Sequence, residues 1–237
     1  MRAHDEEIVV TVVLPAKDEA GGIEQVIAEV RPHVDEVLVV DGRSTDGTAG
    51  LARRAGARVV TDDGRGKGAA YQAGIAAARG AVIVFMDCDG SHDAADIPAL
   101  VAPLLDGDAE LVIGSRYRGG SDEWDGDLES WVRAAGGSVL GIVINWRYRT
   151  RLTDVLNGFR AIRTDVARDL DLRAVDFDVE QHMICRCLQR GHRVLEVPSH
   201  EYRRRWGRSK LPTVRKAHLF FGRLARDLAS PAPSRRR

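Results

Sequence analysis

Residues 86–100 read MDCDGSHDAADIPAL, with Asp87 and Asp89 flanking a cysteine directly after the apolar run AVIVFM. Two carboxylates in the turn after a buried strand can hold a hard divalent cation. Mg²⁺ and Mn²⁺ commonly take one or two carboxylates and complete their shell with phosphate oxygens. A capped turn fits the same residues: Asp89 or Ser91 would close the turn, and Asp93 would accept amides of a helix starting near Ala94. In DGRSTDGT (41–48), Asp41 stands where an acid can bond a ribose hydroxyl or a base edge. Thr45 or Asp46 is placed to cap the helix that follows. GRGKG (64–68) sets Lys67 at a helix start, where an ammonium can meet a phosphate; a flexible surface loop fits equally well. It is not a Walker motif, because no Ser or Thr follows Lys67, and it lacks the dinucleotide-binding glycine spacing. Arg116, Arg133 and the run 203–210 offer guanidinium forks that match phosphate oxygens, though a solvated arginine is the default. His92, His182 and His200 show no partner spacing and read as structural.

The elements that must position these groups alternate in type. Segments 8–14 (IVVTVVL), 36–40, 58–61, 81–86 and 110–113 read as strands, and the near-continuous apolar runs suit strands buried on both faces. Between them, Ile23, Val26, Ile27 and Val30 recur at helical spacing, and 48–55, 67–78 and 94–105 read as helices. Such alternation predicts βαβ units and a mostly parallel sheet covered by helices. Ligands then bind where the strands' C-terminal ends open into loops. Those loops are PAKDEAGG, DGRSTDGT, TDDGRGKG, DCDGSHD and GSRYRGG, and all five are polar. Beyond Gly120, the pattern predicts a long helix over 128–146, the segment NGFRAIR, a helix over 179–189, a strand over 194–197 and a helix over 213–228.

The chain has 237 residues, 30% of them charged, and a formal net charge of zero. A large domain with its own core is expected, and nucleic acid is not an expected partner. Charge is uneven, however: residues 201–237 hold twelve Lys/Arg against Glu201 and Asp227. Three cysteines without metal-ligand spacing imply neither a disulfide framework nor a zinc module. The longest uncharged apolar run, 134–146, is shorter than the roughly 20 residues needed to cross a bilayer. A cytoplasmic protein, with at most a peripheral contact at the inner face of the membrane, is the expectation.

Taken in order, these blocks resemble family 2 glycosyltransferases of the GT-A fold, and above all the dolichol- and polyprenyl-phosphate sugar transferases typified by dolichol-phosphate mannosyltransferase. The resemblance rests on VVLPAKDEAGGI, VLVVDGRSTDGT, GRGKGAAYQAGIAAARG, VIVFMDCDGSHDAADIPAL and VIGSRY. It continues through TDVLNGFRAIR, DVEQHM and EVPSHEYRRRWGRSKL, covering about residues 8–211. It implies a GT-A domain over 1–211, with a donor half to about 118 and an acceptor half from 119, and a C-terminal amphipathic helix and basic tail over 212–237. It places Pro15, Lys17 and Glu19 on the nucleotide, Asp41 on the base or ribose, and Lys67 on the donor side. Asp87, Cys88 and Asp89 fall on the metal-and-diphosphate motif, with Ser91 as a third metal contact. Arg116, Arg204 and Lys210 align with positions facing the diphosphate or the acceptor phosphate, and Arg133 lies in the same acceptor region. Two departures stand out: Gly42-Arg43 replaces the family's second acid, and Lys17 replaces its usual tyrosine.

The implied reaction is inverting transfer of mannose or glucose from a nucleotide sugar, GDP-mannose foremost, assisted by Mg²⁺ or Mn²⁺. An anionic lipid phosphate acceptor needs no general base. A soluble hydroxyl acceptor does, and Asp154, Asp178 and Glu180 are the candidates. A non-catalytic protein that binds through its basic tail is the remaining alternative. In the last helix Val214, Ala217, Phe221, Leu224 and Leu228 share one stripe, which suits either a lipid surface or packing on the domain itself.

Overall fold

The computed structural model describes residues 9–122, 128–207 and 213–229, with the backbone alone described at 128–134 and 213–216. Lys210 and the side chain of Arg133 therefore lie outside the described residues, as do Ile8 and the side chain of Val214. In chain order the elements are β1 (Val10–Ala16), α1 (Ile23–Val30), β2 (Glu36–Asp41), α2 (Thr48–Arg54), β3 (Arg58–Thr61), α3 (Lys67–Ala77) and β4 (Val82–Phe85). Then come α4 (Ile97–Leu105), β5 (Leu111–Ser115), α5 (Arg116–Gly119), α6 (Leu128–Tyr148) and β6 (Arg160–Arg163). The last are α7 (Thr164–Asp169), α8 (Val179–Gln189), β7 (Val194–Pro198) and α9 (Thr213–Ala229).

The seven strands form one sheet in the order β3-β2-β1-β4-β6-β5-β7. All pairings are parallel except those of β6, which runs antiparallel to β4 and β5. That strand is the fold's main departure from the expected parallel alternation, and NGFRAIR hid it because a fully buried arginine, Arg160, breaks the apolar run. β1 extends to Ala16, two residues past its expected end. Pro15 is tolerated there because pairing with β4 stops at Val13.

Alternate side chains of each strand enter different cores. Val12, Leu14 and Val84 pack with α1 and α4, while Val13, Ile83 and Phe85 pack with α3, α6, α8 and α9. α9 thus packs on its own domain, against α6 and α8. Leu224 and Leu228 of the expected stripe pack on the core, but Phe221 does not: it is 46% exposed, and Phe220 is buried in its place. Gln181 Nε2 donates to the Phe220 carbonyl, and His182 Nδ1 meets Asp227 at 2.9 Å, fixing the helix from below.

Glu36, at the start of β2, illustrates how this sheet is tied together. Burial pushes its carboxyl up, but hydrogen bonds from Arg58 (2.8 Å), Thr11 (2.7 Å) and the Arg79 amide (3.0 Å) outweigh that and leave it below the usual glutamate range. A depressed folded value stabilises above the unfolded value of about 4.3 and loses that contribution as pH falls through the folded one. Glu36→Gln is expected to cost about 1.5 kcal/mol at pH 7. Melting curves should show the gap to the parent closing as pH drops below about 4.

Candidate functional site

A parallel sheet sends every βα loop to the same edge, and here those loops line one cavity of about 440 Å³. Pro15 comes from the end of β1 and Lys17 and Glu19 from the loop after it, Gly42 from that after β2, and Asp62, Gly64 and Arg65 from that after β3. Asp87, Cys88, Asp89 and Ser91 follow β4, and Arg116 follows β5. Because β6 is antiparallel, its leading segment reaches the same edge and adds Thr153 to Gly158. The far end of the cavity is apolar, formed by Val155, Leu156, Phe177 and Phe220 with Gly137 of α6.

The carboxylates of the DCD turn are held by cations. Lys67, the first residue of α3, lies 2.8 Å from Asp87 Oδ1 and 2.8 Å from Glu180 Oε1. Burial alone would push its ammonium down, but these two acids hold it well above the ordinary lysine range. Asp87 answers in kind: burial raises its carboxyl, and Lys67, His92 and Arg204 together bring it below the usual aspartate range. The surface-loop reading of GRGKG holds for the exposed Gly64 and Arg65 but is corrected for Lys67, whose side chain is only 13% exposed. Gly158 makes room for the pair, because a Cβ there would stand 2.7 Å from Lys67 Nζ and 2.8 Å from Asp87 Oδ2.

Asp89 organises the turn and the C-terminal strap. Its Oδ1 accepts the Ser91 amide (3.0 Å) and hydroxyl (2.6 Å), and Oδ2 lies 2.8 Å from Arg204. Its carbonyl accepts the amides of Arg205 and Trp206. The Trp206 ring lies against Gly22 and Gly90, where a Cβ at either glycine would meet it at 2.5 Å. The Cys88 thiol donates to the Pro15 carbonyl at 3.4 Å, joining the first and fourth loops. Asp93 does cap, accepting the Ala95 amide at 2.9 Å at the start of the 3-10 turn Ala94–Asp96 that leads into α4. At α2 the cap position belongs to Gly47 (φ 91), not to Thr45 or Asp46. Asp46 still accepts the Thr48 amide from one residue further out.

Around Arg116 the acids are paired as well. Arg116 donates through Nε (2.6 Å) and Nη2 (2.9 Å) to Asp154 and through Nη1 to Glu201 at 3.3 Å. Burial raises the Asp154 carboxyl, and Arg116 outweighs it, leaving Asp154 below the usual range. Asp178 meets Arg223 at 2.9 Å and does not line the cavity. Asp41 is also absent from the lining: it is buried behind Gly42, with Oδ2 accepting the Ser44 amide at 3.2 Å. Lys17 does line it, with Nζ donating to the Arg43 carbonyl. His92 stacks on Phe159, and His200 pairs with Asp122.

Sequence reasoning missed Asp62, Trp206 and the pairing of Lys67 with Glu180. Asp62 lies in a loop already marked as polar; burial, with Asp63 and Asp41 nearby, raises its carboxyl. The Lys67–Glu180 pair spans 113 residues of chain, and no local signal announces it.

Asp87, Asp89 and Ser91 present oxygen donors only, the chemistry a hard cation takes. No group of three or more His, Cys, Asp or Glu among the described residues is arranged to hold a metal by itself. The set therefore suits a cation that takes two carboxylates from the protein and its remaining ligands from a bound diphosphate.

A twisted, mostly parallel sheet with a polar cavity at its loop edge and an acidic turn after the fourth strand defines a GT-A nucleotide-sugar transferase fold. Residues 11–170 match the family described as Glycosyl transferase family 2, and the chain belongs to it. It is 38% identical over 209 residues to an uncharacterized glycosyltransferase of Mycobacterium tuberculosis, covering 85% of this chain and 89% of the relative. It is 32% identical to an undecaprenyl-phosphate mannosyltransferase of Micrococcus luteus, covering 85% and 87%. Among solved structures, glucosyl-3-phosphoglycerate synthase from Mycobacterium tuberculosis, in complex with Mn²⁺, uridine diphosphate and glucosyl-3-phosphoglycerate, superposes with a TM-score of 0.73. The two are 26% identical, over 94% of this chain and 81% of that one. The chain is accordingly a glycosyltransferase.

Proposed function

We propose that the chain moves a hexose, with GDP-mannose as the favoured donor, onto the phosphate of a polyprenyl or dolichyl phosphate, with inversion at the anomeric carbon. The observation that carries this reading is that all three candidate bases are already ion-paired: Asp154 with Arg116, Asp178 with Arg223 and Glu180 with Lys67. A carboxylate held by a cation is a poor proton acceptor. A phosphate oxygen is anionic already and needs none. It would attack the anomeric carbon as the bond to the diphosphate breaks and the nucleoside diphosphate departs. The apolar end of the cavity supports an acceptor with a hydrocarbon part, and the relatives named for undecaprenyl-phosphate and polyprenol transfer support the same class.

In this reading Asp87, Asp89 and Ser91 hold Mg²⁺ or Mn²⁺, which when bound neutralises charge gathering on the leaving diphosphate. Arg204 and Lys67 share that task, and Lys210, outside the described residues, is assigned to it by the family resemblance. Pro15, Lys17, Glu19 and Cys88 shape the nucleotide end, with Asp41 fixing its floor. Arg116 and Arg133 serve the acceptor phosphate. Residues 1–118 thus form the donor half and 119–211 the acceptor half, followed by the C-terminal helix and tail.

A soluble hydroxyl acceptor is the second reading, favoured by the structural neighbours crystallised with phosphoglyceric acid. The two separate cleanly with a matched pair of short acceptors. Given radiolabelled GDP-mannose and Mn²⁺, the chain is expected to label farnesyl phosphate and to leave farnesol unlabelled. Labelling of farnesol, or of neither while phosphoglycerate is labelled, would sink the lipid-phosphate reading. Asp178→Asn should retain turnover within about threefold, because no proton is passed to it.

A further inference from the structure

One face of α6 is apolar, exposed and unexplained by the site. Val139, Ile142 and Trp146 are 47%, 66% and 79% exposed. With exposed Ala135 they follow a spacing of four, three and four residues, which places them on one stripe along about 16 Å of helix. The opposite side of the same helix buries Leu140 and Ile144 and turns Gly137 to the cavity. Residues 134–146 contain no Asp, Glu, Lys or Arg, so the exposed stripe carries no charge of its own. A single surface hydrophobe is ordinary, but an aligned set of this size marks a contact.

The charges around the stripe say what it meets. The sequence at and before the start of α6 holds the acids Asp122, Glu123, Asp125, Asp127 and Glu129, whereas 134–151 include none, and Arg147, Arg149 and Arg151 follow Trp146 directly, the last two exposed, so the basic rim belongs to the C-terminal end of the stripe. On the neighbouring α9, the one acid is Asp227, buried against His182, while Arg226 is exposed. An apolar stripe ending in tryptophan and rimmed by arginines is the pattern of a helix lying in the interface of an anionic membrane. Thirteen uncharged residues span only about 20 Å as a helix, short of the roughly 30 Å hydrocarbon core, so the helix lies on the surface and does not cross. Among the described residues no helix is long and apolar enough to cross a membrane.

We infer that α6 docks the protein on an anionic lipid surface through Val139, Ile142 and Trp146, with Arg147, Arg149 and Arg151 at the headgroups. The expected C-terminal stripe is not this contact, because its Leu224 and Leu228 are spent on the core. α6 then forms a wall with lipid on one side and the apolar end of the cavity on the other. The inference does not depend on which sugar or acceptor is used.

The test is co-sedimentation with vesicles of phosphatidylcholine alone and of phosphatidylcholine with 30% phosphatidylglycerol. The full chain is expected to bind the anionic vesicles, weakly at high salt, and to bind neutral ones at least tenfold less. Ile142→Ser with Trp146→Ser should reduce anionic binding at least tenfold. Its melting temperature and its turnover of a short soluble acceptor should stay unchanged, since both side chains face solvent. Unchanged vesicle binding by the double variant, or no binding by the parent, would overturn the inference. So would a parent that is dimeric by light scattering and becomes monomeric on the same substitutions, because the face would then belong to a second copy.

Discussion

Asp89→Asn is expected to lower transfer by about 10³-fold while leaving the melting temperature within a few degrees of the parent. The amide keeps an oxygen for the Ser91 amide and hydroxyl, so the turn that Asp89 closes retains its shape. What disappears is the negative charge, and with it both the affinity for a divalent cation and the partner of Arg204 at 2.8 Å. Asp87→Asn should match it in turnover but not in stability, because Lys67 would then have only Glu180. Steady-state turnover and thermal melts on the two variants separate these effects. Activity within tenfold of the parent in either would remove the acidic turn from the chemistry.

Lys67→Met is expected to be the most damaging single change to this site. Glu180 is 4% exposed and Asp87 31% exposed, and both face the same ammonium. Removing it leaves two carboxylates turned toward each other with no cation between them. Breaking a buried pair in this way costs about 3 kcal/mol, the low end of the usual range because Asp87 keeps some solvent. For a chain of this size that lowers the melting temperature by about 6–12 °C. Two further readings distinguish an electrostatic cause from a packing defect. Adding Glu180→Gln should restore about half of the loss, since one of the repelling charges is gone. Mn²⁺ with a nucleoside diphosphate should raise the variant's melting temperature more than the parent's, because the cation takes the place of the ammonium beside Asp87. A variant as stable as the parent, or one unmoved by both, would contradict the pairing.

The contrast between the DCD turn and its partners explains what could be read in the chain beforehand. Asp87 and Asp89 were legible because a buried strand announces its own end, and a parallel sheet sends that end to the ligand edge. The loops holding Pro15, Lys17, Glu19, Lys67 and Arg116 followed by the same rule, and the structure gathers them around one cavity. β6 was not legible, because a strand with a buried arginine at its head does not look apolar. Nor was the direction of β6, which depends on pairing with β4, where Val82 meets Arg163 and Phe85 meets Arg160. In α9, Phe220 and Phe221 fit helical stripes equally well, and only packing against Gln181 and α8 chooses the first. Trp206 became visible only through the notch that Gly22 and Gly90 leave for it. Periodicity finds elements and their edges, whereas ion pairs between distant segments are set by tertiary placement.

The most direct test of the account is the melting temperature of the full chain with GDP-, UDP- and dTDP-sugars, each with and without Mn²⁺. A ligand that binds only the folded chain raises the midpoint by mass action. The account predicts that GDP-mannose raises it by several degrees in the presence of Mn²⁺, that the effect shrinks sharply without the metal, and that Asp89→Asn abolishes it. Absence of any nucleotide-sugar effect, or a full effect that needs neither Mn²⁺ nor Asp89, would contradict it.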